Sequence, residues 1–265
     1  FLFLPWVRQL SRWLGRRFVA AEAPLLRHIK AGAESVPDVA VQAAQDETLR
    51  LLDQVAAINQ VGYGLTPDVE FYDVGKDREG VSVFGPNPDF DACYGDAKQL
   101  EGKILAYALR LQREPLQPDE AAALGQIIPA IRNAIHSAKS TKDVQQDLQS
   151  FRNSVNDRFN AYYSQFRELV REFYEDLAPL RHADLEPLRF EAMVHLKNTS
   201  EELHKRMHER IYAEVARGEL SEREISTLLN VNRELYVSNQ SLISAFADAF
   251  LSLGASEDFA SIPVA

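Results

Sequence analysis

REPLQPDEAAAL, residues 113–124, and RGELSEREISTL, residues 217–228, align without a gap at an offset of 104 residues. The alignment keeps Arg113/Arg217, Leu116/Leu220, Glu120/Glu224 and Leu124/Leu228, and it runs on through Ile131/Leu235 and Ser137/Ser241. In the second copy Ser221 is followed three residues later by Glu224, the capping-box spacing that marks a helix N-terminus. A helix start that recurs at a fixed interval, ahead of apolar residues at helical spacing, predicts an all-α chain built from an internal repeat.

Working outward, Pro37 and Asp38 open a first helix with Val41, Ala44, Leu51, Val55 and Ile58 as its apolar face. Residues 62–92 are rich in Gly, Pro, aromatics and acids, and are read as an inserted loop or small hairpin in which VEFYDV pairs with VSVF. Its acids lack the spacing of a calcium-binding helix-loop-helix. A second helix is predicted from Tyr94 to Arg113, and a third after the turn EPLQPDE. From 130 to 178 there is no Gly or Pro, which fits two helices joined by a polar turn or one long helix. Pro179 and Pro187 bracket a break, the fifth helix ends near Gly218, and the sixth, with Ser221 as its N-cap, ends by Gly254. Shifted by the repeat offset, the first helix lands on the fourth, with Leu51 and Val55 meeting Val155 and Phe159. A three-helix unit can close its own core. The expected architecture is therefore two antiparallel three-helix bundles: a basic amphipathic arm over 1–36, a first bundle over 37–145 carrying the insertion, and a second over 146–255.

Hydrophobic residues make up 46% of the chain and charged residues 26%, the balance of a globular protein and not of a disordered one. One cysteine, Cys93, excludes an intrachain disulfide and a Cys-rich zinc site. The net charge of −10 argues against general nucleic-acid binding, which needs a basic face. Residues 1–30 nevertheless hold Arg8, Arg12, Arg16, Arg17, Arg27 and Lys30 against Glu22 alone. That segment carries +5, which leaves −15 on the rest. A basic arm on an acidic body is expected to have a partner of its own.

The chain opens FLFLPWVRQLSRWLGRRF without a Met, so the expectation is a piece of, or a product from, something longer. The apolar run is short and its basic residues follow it, which is not the order of a signal peptide. No run in the sequence approaches the length needed to span a bilayer. Trp6, Arg8, Arg12, Trp13, Arg16 and Arg17 lie beside an apolar stub, as at the cytoplasmic end of a membrane helix. An amphipathic helix docked on the body or on a second subunit remains the alternative.

Three stretches carry a resemblance: AKQLEGKILAYALRLQ (97–112), IRNAIHSAKSTKDVQQDLQSF (131–151) and, above all, LLNVNRELYVSNQSLISAF (228–246). Together with the repeat they resemble the PhoU-like phosphate-uptake regulators, and more closely the cytoplasmic C-terminal domain of bacterial sodium/phosphate cotransporters, over roughly residues 36–253. The resemblance implies a non-enzymatic regulatory domain that modulates phosphate uptake through protein–protein contacts. It would lie on the cytoplasmic side of the bacterial inner membrane. Its implied partners are the membrane domain of its own chain, an anionic membrane surface met by the arm, and a second copy. A free-standing scaffold or signalling adaptor of phosphate homeostasis is the alternative. PhoU-like regulators collect metal clusters on E/D-x-x-x-D motifs of both repeats. Here only Asp143 and Asp147 keep that spacing, and their repeat equivalents are Ala247 and Leu251. Metal binding is therefore left open, and no cofactor is expected.

Arg132, His136, Lys139 and Asp143 fall at steps of 4, 3 and 4 and form one helical stripe. With Ser137 and Ser140 nearby it could hold phosphate, but mid-helix placement lacks the free amides of an anion site. A solvated face with Lys139–Asp143 as an i,i+4 pair, or a contact surface for the membrane domain, is the expected use. Glu201 and His204 form a single E-x-x-H, whereas a di-iron bundle needs two such motifs and two further glutamates. His204 and His208 lack the glutamate of H-E-x-x-H. No nucleophile elbow, phosphate loop or dinucleotide fingerprint occurs.

Overall fold

A computed structural model describes residues 26–29, 36–67, 89–218 and 220–263. It is all-α, a helical bundle with eight α-helices among the described residues: α1 (Pro37–Gly62), α2 (Phe90–Leu111), α3 (Pro118–Asp143), α4 (Gln145–Arg152), α5 (Asp157–Leu177), α6 (Glu186–Ala216), α7 (Glu222–Phe250) and α8 (Leu253–Ser261). A short 3-10 turn, Ala178–Arg181, follows α5. The proposed hairpin strands and the Trp/Arg arm fall on residues 69–84 and 1–18, outside the described residues.

Local chemistry sets the helix ends. Glu224 accepts from the Ser221 backbone N–H at 2.7 Å, and Glu120 accepts from the Gln117 backbone N–H at the same distance. The two repeat copies therefore start their helices with the same bond, 104 residues apart. Asn156 caps α5 by accepting from the Arg158 N–H at 3.0 Å. The stretch 130–178 is thus two long helices separated by short α4 and the polar turn 153–156. Helix α1 stops in a Schellman motif: Gly64 donates to Val61 O at 2.8 Å and Leu65 to Gln60 O at 2.9 Å. That motif needs a left-handed residue, and Gly64 supplies φ +71°. Two residues earlier, a Cβ on Gly62 would stand 2.5 Å from Thr141 Cγ2, so glycine lets α1 and α3 close up.

Packing follows the bonds between helices. Along α3 and α7 the partners run in opposite order: Gln126 with Leu251, Asn133 with Asp248, His136 with Ser241 and Ser137 with Ser238. The two helices are antiparallel, and this seam is the most extensive helix–helix contact in the molecule. Small residues on α3, Ala130, Ala134 and Ala138, are fully buried at steps of four and let the backbones approach. Helix α1 lies parallel to α3, since Asn59 lies against Ser137 and Gly62 against Thr141. Lys142 of α3 reaches Asp91 of α2 at 3.2 Å and covers the Tyr94 ring, which sets α2 antiparallel to α3. Helix α6 is antiparallel to α7: Asn232 donates to His204 O and Gln240 to Lys197 O, both at 3.0 Å. One continuous apolar core runs from Ala40 to Phe259.

Two sequence expectations are corrected, the repeat offset of the first helix and the start of the second, and one helix end is made exact. Val155, paired in sequence with buried Leu51, is 102% exposed in the turn before α5, so the repeat offset does not hold for the first helix of each half. The sixth helix ends at Phe250, ahead of Gly254 as expected, and Gly254 itself sits inside α8, a helix that the sequence reading did not include. The break arises because the backbone N–H and hydroxyl of Ser252 both donate to the Glu186 carboxylate at 3.0 Å. The second helix starts at Phe90, with Asp89 accepting from the Asp91 N–H.

Candidate functional site

The predicted stripe lies on α3 as a solvated row. Arg132, His136, Lys139 and Asp143 are all exposed. Lys139 hydrogen-bonds Asp143, which raises the lysine's affinity for its proton. His136 Nδ1 lies 2.9 Å from Ser241 Oγ, so the row reaches across the seam onto α7. Ser137 and Ser140 point the other way and are buried, so they cannot join an anion site on this face. Ser137 Oγ instead meets Ser238 Oγ at 3.0 Å and accepts from Asn59 Nδ2 at 2.8 Å. The stripe is thus a surface of fixed register, held from beneath by buried hydrogen bonds between α1, α3 and α7.

Asp143 closes α3 and Asp147 lies in α4, with Val144 between the two helices, so the E/D-x-x-x-D spacing does not sit on one helix. Among the described residues no three or more His, Cys, Asp or Glu side chains are grouped to hold a metal ion. Cys93 is buried, and desolvation with help from Asp96 and Asp89 pushes its thiol up to about 11. At neutral pH it is a protonated thiol and a poor nucleophile.

The chain enters the body at a second feature that sequence reading missed. Glu47 is completely buried in α1, and its carboxylate accepts from the backbone N–H groups of Arg27 and His28 and from Arg50 Nε at 2.7 Å. Three donors around one carboxylate fasten residues 26–29 to α1. The signal was present: Glu47 and Asn59 end the four-residue row that contains Leu51 and Val55, so polar side chains stand on the core face. At the far side of the seam a cavity of about 240 Å³ opens between α1, α3 and the end of α7, with Thr48, Gln126 and Asp248 in its wall. Burial raises the Asp248 pKa, opposed by hydrogen bonds from Ser256 and Asn133.

His204 and His208 lie on α6 with ring centroids 6.0 Å apart. His204 stacks on Tyr236 of α7 at 4.7 Å, and His208 packs edge-on against Tyr212 at 4.6 Å. Desolvation lowers the His204 pKa, so its imidazole is neutral at physiological pH. No helix among the described residues is long and apolar enough to cross a membrane. Comparison with protein-family models, with curated proteins and with solved structures gives no match.

Proposed function

We propose that this chain is a cytoplasmic regulatory domain of a sodium/phosphate cotransporter, with the PhoU-like architecture of two three-helix bundles: α1–α3 and α5–α7. The observation that carries this reading is the seam. The two repeat copies begin the two helices that pair at the centre of the molecule, and those helices carry most of the family-like stretch 131–151 and all of the strongest one, 228–246. The basic arm supports the same reading, because Trp and Arg beside an apolar stub suit a membrane exit. Residues 26–29, clamped on Glu47, then supply a stiff joint through which force on the arm reaches α1. The exposed row from Arg132 to Asp143 is the surface offered to the membrane domain. Regulation acts through the packing of this surface against the transporter, a shift between two docked states.

The test is sodium-dependent phosphate uptake by the parent protein, intact and with residues 20–265 removed, at equal expression in the membrane. Altered uptake, or an altered response to phosphate, is expected; unchanged uptake refutes the regulatory role. The acidic body, −15 outside residues 1–30, favours a second reading as a scaffold for a basic signalling partner. That reading predicts a protein that stays in the supernatant when membranes are sedimented.

A further inference from the structure

Three polar atoms deep in the molecule make no hydrogen bond with the protein, and they belong to residues that meet: Asn59 Oδ1, Tyr63 Oη and Tyr174 Oη. Asn59 lies in the last turn of α1, Tyr63 caps the end of that helix, and Tyr174 lies on α5. None of the three residues is more than 4% exposed. Burial pushes both phenols well above the usual tyrosine range. Each also registers its neighbours in the cluster: Tyr63 the Tyr174 hydroxyl and the Glu234 carboxylate, Tyr174 the Asn59 amide. A buried hydroxyl or amide oxygen without a partner is costly, and native interiors nearly always supply one.

The protein groups around them are already engaged. Asn59 Nδ2 donates to Ser137 Oγ at 2.8 Å, and the Ser238 hydroxyl donates to the Ser137 carbonyl at 3.0 Å. Those bonds hold the amide nitrogen against α3 and α7 and leave Oδ1 without a donor. Helices α1 and α5 cannot simply slide together to join the tyrosines to it. Arg167 donates to Gly64 O at 3.0 Å and the Tyr163 hydroxyl to Tyr63 O at 3.4 Å, which sets the distance of α5 from the end of α1. On its α3 side, α1 is already as close as glycine permits, at Gly62. Two hydroxyl donors and one carbonyl acceptor match a single water, which accepts from both tyrosines and donates to Asn59; internal waters make about three hydrogen bonds. A hard cation would need about six oxygens, and an anion would meet the Glu234 carboxylate. We propose that one ordered water is bound between Asn59, Tyr63 and Tyr174, a structural ligand that joins α1 to α5. This goes beyond the regulatory reading and is tested on the chain alone, so each can fail without the other.

A crystal structure of the full 265-residue chain, at a resolution that shows ordered water, tests this without any variant. A water oxygen about 2.7–3.0 Å from all three atoms is expected. Direct bonds among the three atoms with no water between them overturn the proposal. So does a bound cation, recognised by unfolding that changes when sodium chloride is replaced by choline chloride at equal ionic strength. In solution, magnetic relaxation dispersion of the solvent counts long-lived internal waters. The double variant Tyr63→Phe/Tyr174→Phe should hold one fewer than the wild type, and an equal count overturns the proposal. Each single variant should raise the equilibrium constant for unfolding about fivefold, the scale of one net hydrogen bond. Hydroxyls with no water to bond would give the opposite sign, because phenylalanine then removes an unpaired buried group. A gain in stability, or no change, in both single variants therefore overturns it as well.

Discussion

Asp53 of α1 is fully buried and paired with Arg181 of the 3-10 turn, and its second oxygen, Oδ2, has no partner. Desolvation outweighs the attraction of Arg181 and raises its pKa from 3.8 to about 7. In the unfolded chain the same carboxyl titrates near 3.8. Between these two values the folded protein holds a proton that the unfolded chain has released. Raising the pH therefore favours unfolding by about 1.4 kcal/mol per pH unit until pH 7, and the effect is flat above it. The stability due to Asp53 is fully present below pH 4 and lost as pH rises through 7. Asp53→Asn keeps the shape and removes the titration. Over pH 5 to 7 the difference in unfolding free energy, variant minus wild type, should grow by about 2 kcal/mol and level by about pH 8. Urea unfolding followed by circular dichroism at half-unit steps from pH 5 to 8 reads this directly, because every other carboxylate cancels in the difference. A difference that stays flat across that range refutes the reasoning. Arg181→Met sharpens the test: without the cation that lowers it, the Asp53 pKa climbs further, and wild-type flatness above pH 7 becomes a continuing fall.

Gly62→Ala forces a methyl onto Thr141 Cγ2 and Gln145 Nε2, and should cost about 1–3 kcal/mol by urea unfolding; Thr141→Ser, which removes that Cγ2, should recover part of the loss. Ser221→Ala removes the hydroxyl from the α7 capping box, with an expected loss of about 1 kcal/mol and a lower unfolding midpoint. Glu47→Gln weakens the three charge-assisted bonds that hold the chain entry, so amide exchange at Arg27 and His28 should quicken about tenfold while exchange at Leu51 and Val55 is unchanged. Equal acceleration at all four sites would mean that Glu47 supports the core as a whole and not the entry.

Helix ends were legible wherever nearby residues set them: Pro37 at the first turn of α1, Ser221 with Glu224 at the start of α7, and Gly218 after the end of α6. The stripe was legible because a period of three and four residues fixes which side chains share a face. What lies under a face was harder to read. Ser137 follows His136 directly, yet one is buried and the other exposed, since adjacent residues differ by about 100° around a helix. The offset of 104 survived in α3 and α7, where both copies run from cap to seam without an insertion. It failed for α1 and α5 because the extra length between α1 and α2 has no counterpart between α5 and α6, which left Val155 in a turn. Glu47, Asp53 and Asn59 went unread because a buried polar residue needs a partner that is distant in sequence: His28, Arg181 and Ser238. The end of α7 depended on Glu186, 66 residues away.

The seam between α3 and α7 has a consequence for ancestry. Subtracting the repeat offset of 104 from the α7 partner turns the His136–Ser241 contact into 136 with 137, and Ser137–Ser238 into 137 with 134. Asn133–Asp248 becomes 133 with 144, and Gln126–Leu251 becomes 126 with 147. Each pair is nearly centred on position 136, as happens when two copies of one helix cross on a two-fold axis. Such a contact is self-complementary: the patch that one copy offers is the patch that the other needs. A single gene product half this size could have assembled through that face as a symmetric homodimer before its two copies were joined end to end. Fusion of two such copies would free each to drift, so that one keeps Asp143 on the outer face while its counterpart is a buried alanine, Ala247.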